Sequence, residues 1–334
     1  MKRRLSGVTS TVVALVPMMA DKGIFATGPG LPQQVPHIPM IRATFMPRDR
    51  WRVWHARRNT EMLYGLFLRH ILRRRYKLLF TSAAQRAHSG YTKWLIRQMD
   101  GLIATSAKAA SYLEREATVI LHGVDIDRFA PPLSKKAAKQ DLGLPEDDIF
   151  LGCFGRVREN KGVDLFVDLL IDLCKEDRRV RGVILGRATQ EHQEFQQKLE
   201  TKIRNAGLHH RIRFMGEVSS EDLVRWYRAL DIFIAPQRWE GFGLTPLEAM
   251  ASKVPVIATK VGAFEEIVQE GVTGYLVEIE DVEAMKRHAR AMLADEDALA
   301  EMGRASRAHV EDKFPLSREA RQIMEVYDGL LADA

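Results

Sequence analysis

The densest chemistry in this sequence lies in Arg238-Trp239-Glu240-Gly241-Phe242-Gly243-Leu244-Thr245-Pro246-Leu247-Glu248-Ala249-Met250. The run follows a short apolar segment and opens a helical one, and α/β sheets bind their ligands at such strand ends. Gly241 and Gly243 allow close backbone approach to a ligand. Thr245-Pro246 reads as a cap followed by a first helical residue, leaving free amides directed at an incoming anion such as phosphate. Glu240 and Glu248 flank this turn with seven residues between them, one in the loop and one in the first helical turn. Carboxylates so placed can hold sugar hydroxyls. Thr245-x-x-Glu248 is equally the spacing of a capping box, in which Glu248 would only satisfy an amide of its own helix.

A second cluster, Gly155-Arg156-Val157-Arg158-Glu159-Asn160-Lys161-Gly162, follows another apolar run. Arg156 or Lys161 alone would be an ordinary surface cation. Two cations beyond the carboxyl end of one strand suit a diphosphate, whose charge they would stabilise.

The elements that must position these clusters are legible in the second half. Residues 149–154 form a buried-strand run ended by Gly155, and 163–174 show helical spacing of apolar residues. Further strands are predicted at 181–185, 211–215, 231–235, 254–258 and 275–277, with helices at 190–205, from Ser219/Ser220 to 229, around 264–268 and from 282 to the mid-310s. Strands alternating with helices make a parallel sheet with crossover helices. The first half is less regular, with strands expected at 77–81, 101–105 and 118–121. Pro131-Pro132 within 129–136 has the chemistry of a linker. From Pro315 onward a helix is expected, with apolar positions at Ile323, Val326, Tyr327, Leu330 and Leu331. The domains are accordingly drawn at 1–134, 135–314 and 315–334, the last a helix returning to the first domain.

The 334 residues are 46% hydrophobic and 28% charged, which excludes a disordered or fibrous chain. Cys153 and Cys174 are too few for a disulfide framework, so a reducing cytoplasm is expected. No apolar run is long enough to span a membrane. Behind Met1-Lys2-Arg3-Arg4 the apolar stretch is interrupted by threonines and Pro17 and offers no small-residue cleavage site, so no signal peptide is expected. The net charge of +6 conceals an asymmetry: residues 1–137 carry 23 Lys and Arg against 8 Asp and Glu, and the remainder 27 against 36. A basic half of that kind attracts nucleic acid, an anionic membrane surface or an acidic substrate. Nucleic acid is disfavoured, because no stretch interleaves aromatic residues with arginines as a stacking platform.

Over residues 100–315 the sequence resembles the retaining nucleotide-sugar glycosyltransferases of the large family 4 class, which includes sucrose-phosphate synthases and phosphatidylinositol mannosyltransferases. The resemblance rests on His122-Gly123-Val124-Asp125 leading to Phe129, on Gly155-Arg156 with Lys161-Gly162, and on Gly216-Glu217-Val218. It continues through 240–248, Ala251-Ser252-Lys253-Val254-Pro255-Val256-Ile257-Ala258-Thr259, Val261-Gly262 and Glu265-Glu266-Ile267-Val268. It implies an α/β, GT-B architecture, two facing Rossmann-like domains with parallel sheets and a deep interdomain cleft. It also implies that Arg156 and Lys161 bind the donor diphosphate, Glu240 contacts the donor sugar, Glu248 holds the ribose, and Gly241, Phe242, Gly243 and Leu244 present backbone amides. The first half is similar to a narrower group, the bacterial lipopolysaccharide core mannosyltransferases. That likeness is carried by Ser6-Gly7-Val8-Thr9-Ser10-Thr11, Thr27-Gly28-Pro29-Gly30-Leu31-Pro32, Trp54-His55-Ala56-Arg57-Arg58-Asn59-Thr60-Glu61-Met62 and Phe80-Thr81-Ser82-Ala83-Ala84-Gln85-Arg86.

That group implies transfer of mannose from GDP-mannose to the inner-core sugar acid of a lipid-linked acceptor, by a cytoplasmic enzyme peripheral on the inner membrane face. Gly7 is expected in a loop near the donor phosphates and the acceptor, with His55, Arg57, Arg58, Arg86 and His88 on the acceptor side; the two histidines are candidate proton relays. Gly7 follows Met1 by only six residues, so the usual first strand of the N-terminal domain is expected to be missing, and His122 stands where many relatives have asparagine. Asp125-Ile126-Asp127 is the nearest approach to a metal-binding Asp-x-Asp but belongs to the Gly-Val-Asp turn, so no essential metal and no cofactor are expected. Two other readings stay open: a transferase using UDP- or ADP-linked sugar on another acceptor, and an inactive nucleic-acid or membrane-surface binding protein on the same fold.

Overall fold

The computed structural model describes residues 7–28 and 31–333. Ser6, Pro29 and Gly30 of the motifs above lie outside the described residues, as do residues 1–6, on which the expectation of a missing first strand turns. The chain divides into two compact units, Val124–Lys313 on one side and, on the other, the described residues up to Gly123 with those from Phe314 onward.

In the first unit the described strands are β1 Arg52–Ala56, β2 Tyr76–Ser82, β3 Gly101–Ala104 and β4 Thr118–Val119, all parallel and in sequential order. β1 has no counterpart in the expected strands, because its apolar positions Val53 and Trp54 sit among arginines and histidine and make no run. Gly7 does not lie in a loop: it is the first residue of a helix, Gly7–Met19, which continues through Pro17. The helix Leu316–Ala332 packs on Gly7–Met19 and on β1. Leu316, Ala320 and Ile323 share a core with Leu15, Leu79 and Ile103. Buried Glu319 of that helix accepts from Gly123 N–H at 2.8 Å and lies 2.7 Å from Nδ1 of His122. His122 therefore has a role in the fold, tying the end of the first unit's chain to its returning helix.

The second unit is built on β5 Ile149–Phe154, β6 Val180–Leu185, β7 Ile212–Gly216, β8 Ile232–Ala235, β9 Val256–Thr259 and β10 Gly274–Val277. All are parallel, in the order β10-β9-β8-β5-β6-β7. β5, β8 and β9 are buried along their whole length, which explains why they read as continuous apolar runs. The helix Val163–Glu176 covers the sheet with Val163, Phe166, Val167, Leu170 and Cys174 in the core. The order reverses between β5 and β8, and the loops leaving a pair of strands at such a reversal diverge and leave room for a ligand.

The segment 129–136 belongs to the second unit, with residues 130–134 in no regular structure between a turn and a helix. Buried Phe129 packs its ring 5.6 Å from Tyr227, its carbonyl accepts from Ser252 Oγ, Arg228 Nε donates to the carbonyl of Ala130, and Ser134 caps the helix Lys135–Asp141. Apolar burial and backbone bonds together hold it in the second unit.

Candidate active site

The chain leaves β5 through Gly155 and Arg156, makes a short turn at Glu159–Lys161 and enters the helix Val163–Glu176 through Gly162. Gly162 has φ +66°, and a Cβ there would lie 1.9 Å from the carbonyl oxygen of Pro236, just beyond β8. Only glycine permits that contact between the two loops. Arg238 locks it. Its Nη1 and Nη2 donate to the two carboxylate oxygens of Asp164 at 2.8 and 2.7 Å, Nη1 also donates to the carbonyl of Glu159, and Nε donates to Glu280. The backbone N–H of Arg238 donates to the carbonyl of Asn160 at 3.0 Å. The bidentate pair drives the guanidinium pKa still further up, with Asp164 the main cause and Glu280 adding to it.

This clamp brings together two residues that lie 79 apart in sequence: Lys161 Nζ makes an ion pair and hydrogen bond with Glu240 Oε2. The other oxygen of Glu240 accepts from Gly241 N–H at 3.1 Å. Gly243, at φ +92°, leaves the space for this arrangement, since a Cβ there would meet Phe264 at 2.2 Å and Glu240 Cγ at 3.0 Å. Arg156 is exposed on the same loop, and among the described residues nothing lies within hydrogen-bond or ion-pair reach of it. Phe242 is buried and its carbonyl accepts from Ala263 N–H, while the carbonyl of Leu244 accepts from Glu248 N–H.

Thr245 is not a cap. The residue preceding the helix Thr245–Ala251 is Leu244, which makes no side-chain cap bond, and the Thr245 hydroxyl is buried with no partner among the described residues. Glu248 is accordingly in no capping box. It accepts from the Tyr227 hydroxyl at 2.7 Å, a charge-assisted bond from another helix. Burial pushes the Glu248 carboxyl up, against the hydrogen bond from Tyr227 and the charge of Arg128, which pull it down. Tyr227 is driven well above the ordinary phenol range, first by burial and then by Glu248, and its ring packs among Phe154, Phe233 and Phe129. Tyr227, Arg128 and the clamping role of Arg238 have no local signal in the sequence; each acts on a partner brought near by the fold. Asp125 accepts from Arg128 N–H at 3.0 Å, an ordinary turn bond.

On the first unit, His55 Nδ1 lies 2.7 Å from the Tyr327 hydroxyl and Nε2 lies 2.6 Å from Thr81 Oγ1, so both ring nitrogens are taken. Burial, with Arg57 nearby, holds its pKa well below the imidazole range. Arg57 donates from Nη1 to Thr11 Oγ1 and from its backbone to Glu61. Arg58 is exposed, with Glu61 at 4.0 Å, and Arg86 is exposed with no partner among the described residues. His88, 3.4 Å from Ser82 Oγ, is lowered by burial and by the charges of Arg86 and Lys93. It lines a cavity with Lys93, Arg97 and Glu114, where Glu114 pairs with both cations. Gly7 starts the helix that carries Thr11, the partner of Arg57.

Residues 134–309 match the family model described as glycosyl transferases group 1. The chain is 48% identical over 340 residues to the lipopolysaccharide core biosynthesis mannosyltransferase LpsB of Rhizobium meliloti, covering 99% of this chain and 96% of the relative. It is also 48% identical to the corresponding mannosyltransferase LpcC of Rhizobium leguminosarum, covering 99% of this chain and 95% of that one. Among solved structures, Anabaena HepE in complex with UDP and glucose superposes with a TM-score of 0.84 at 19% identity, covering 98% of each chain, a likeness of fold.

Proposed function

The chain belongs to the group 1 glycosyl transferases, among the lipopolysaccharide core mannosyltransferases, and from that premise we propose that it moves mannose from GDP-mannose to an inner-core sugar acid of a lipid-linked acceptor with retention of configuration. One observation carries the site assignment: Lys161 and Glu240 meet where the strand order reverses, beside an Arg156 that nothing described engages. Arg156 and Lys161 stabilise the charge that develops on the departing diphosphate, together with the amides of Gly241, Phe242, Gly243 and Leu244. For Lys161 to do so it must exchange Glu240 for phosphate, which frees Glu240 for a sugar hydroxyl and Gly241 N–H for an anion. Glu248, already held by Tyr227, accepts from the ribose hydroxyls. These cations perform the charge stabilisation, so the proposed reaction needs no essential metal and no cofactor.

The basic first unit takes the acceptor. Arg57, Arg58 and Arg86 supply positive charge for its carboxylate or phosphate. His88 is the better proton relay of the two histidines, since His55 has both nitrogens occupied. Among the described residues no helix is long and apolar enough to cross a membrane. We place the enzyme on the inner face of the cytoplasmic membrane, drawn there by its positive charge.

Calorimetric titration with GDP, GDP-mannose, UDP, UDP-glucose and ADP tests the reading; UDP belongs in the panel because the Anabaena protein was solved with it. Guanine preference, with affinity for GDP-mannose weakened in Lys161→Ala and Glu240→Ala, supports it. Preference for UDP or ADP overturns the donor assignment. Absence of all nucleotide binding by folded protein overturns the site.

A further inference from the structure

The first unit exposes large apolar side chains on two linked helical segments that its own core does not use. The helix Asn59–Leu66 runs into a π-helical turn, Phe67–Ile71, closed by the bond from Leu72 N–H to the Phe67 carbonyl. Its inner side sends Met62, Leu66 and Leu68 into a core with Trp54 and Leu78. Its outer side carries Leu63, Phe67 and Ile71 at intervals of four residues, all exposed. The short helix Met40–Thr44 lies alongside, joined through a 2.5 Å hydrogen bond between Thr44 Oγ1 and the Tyr64 hydroxyl. It adds Ile41, 65% exposed, and Phe45, 59% exposed. Scattered apolar residues on a surface are ordinary; five on two linked helical segments and the residue that ends one of them call for an occupant.

The rim indicates which occupant. From Met40 to Arg75 the sequence has ten arginines and two acidic residues. Two of those arginines are held at the edge of the patch: Arg74 lies 5.6 Å above the Phe45 ring and donates to the Met46 carbonyl, and Arg48 donates to the Leu72 carbonyl at 2.7 Å. Arg73 and Arg75 are exposed beside them. A second copy of this face would set like charge against like, which opposes self-association. An anionic bilayer offers both partners at once, acyl chains for the apolar side chains and headgroups for the arginines. We infer that Ile41, Phe45, Leu63, Phe67 and Ile71 form a docking face for an anionic lipid surface, with Arg73 to Arg75 as its electrostatic rim. This deepens the membrane-facing reading above and rests on it for its biological purpose, but its test needs neither donor nor acceptor.

The full chain is sedimented with vesicles of phosphatidylglycerol and phosphatidylethanolamine, or of phosphatidylcholine alone, beside Phe67→Ser/Ile71→Ser and Arg73→Gln/Arg75→Gln. The expected result is binding to the anionic vesicles only, weakened about tenfold or more in each double variant and lost near 1 M salt, where the screening length falls to ~3 Å. Unchanged GDP affinity and Tm in both variants show that the fold and the nucleotide site are intact. Absence of vesicle binding by the wild type, or binding that neither variant weakens, overturns the inference. So does a wild-type dimer that Phe67→Ser/Ile71→Ser dissociates, because the face would then belong to a second copy. Loss of nucleotide binding in Lys161→Ala bears only on the proposed reaction.

Discussion

The two units are both parallel sheets covered by helices, yet the ends of their strands are built differently. In the second, the strand order reverses between β5 and β8, and the loops beyond those strands are clamped together by Gly162 and Arg238. In the first, the described strands run in sequential order, without such a reversal, and the basic residues are spread over strands, helices and loops. The unit containing Val124–Lys313 has a net charge of −6 and the other +12. The proposed diphosphate site thus lies in the unit of negative net charge and depends on the local placement of two cations, Arg156 and Lys161. The positive unit offers a broad field, which suits a large anionic partner better than a small one.

The comparison breaks most decisively at Lys161. Lys161→Ala is expected to lower kcat by about 10²–10³ while leaving Tm near that of the wild type, since it removes a charge from the developing diphosphate. A loss of stability without loss of turnover would make the Lys161–Glu240 pair a structural one. Arg238→Ala comes next. It removes hydrogen bonds to a partly exposed carboxylate and should destabilise the second unit by about 1–2 kcal/mol in denaturant unfolding, with weaker GDP binding as the two loops part. Retained GDP affinity at lowered stability would show that the clamp is not needed to hold the site.

A smaller effect tests the first unit through pH. His55 titrates well below the ordinary imidazole value in the fold, so below about pH 6.5 the unfolded chain binds a proton that the folded chain does not. Its contribution is therefore lost as pH falls, by at most about 1.4 kcal/mol per pH unit. His55→Gln should be less stable than the wild type at pH 7.5, through weakened bonds to Tyr327 and Thr81, and the gap should narrow towards pH 5.5. His88 and His309, shifted in the same direction, keep some acid sensitivity in the variant. A gap that stays constant with pH would refute a neutral His55 in the fold. The smallest effect is expected for Arg86→Gln, about a threefold rise in acceptor KM at unchanged donor affinity, the scale of one exposed charge. An equal change in donor affinity would move Arg86 out of the acceptor group.

Most of the second unit was legible because β5, β8 and β9 are buried on both faces and so have no polar alternation to obscure them. The glycines that end β5 and β6 mark where the chain must turn, and the charged residues after β5 and β8 stand out against those apolar runs. β1 was not legible, since Arg52–Ala56 puts a histidine and an arginine into a strand whose burial depends on the helix Leu316–Ala332 some 260 residues later. Gly7–Met19 was obscured by Pro17, which a helix can carry near its end at the loss of one backbone bond. Thr245 shows the limit of a local motif: its spacing to Glu248 fits a capping box, but the Tyr227 hydroxyl is the partner that carboxylate takes.

Sequence by itself determined the types of the chemical groups and the order in which the second unit presents them, because glycine conformation, apolar runs and charge are properties of the local chain. The tertiary structure decided which of those groups meet. Lys161 faces Glu240 and Arg238 closes on Asp164 because the sheet places β8 beside β5, bringing together loops separated by more than seventy residues, while Glu248 faces Tyr227 across the two helices that flank β8. It also decided that Leu63, Phe67 and Ile71 face outward while Met62 and Leu66 face in, a choice that helical spacing allows either way and that only the position of the neighbouring sheet resolves.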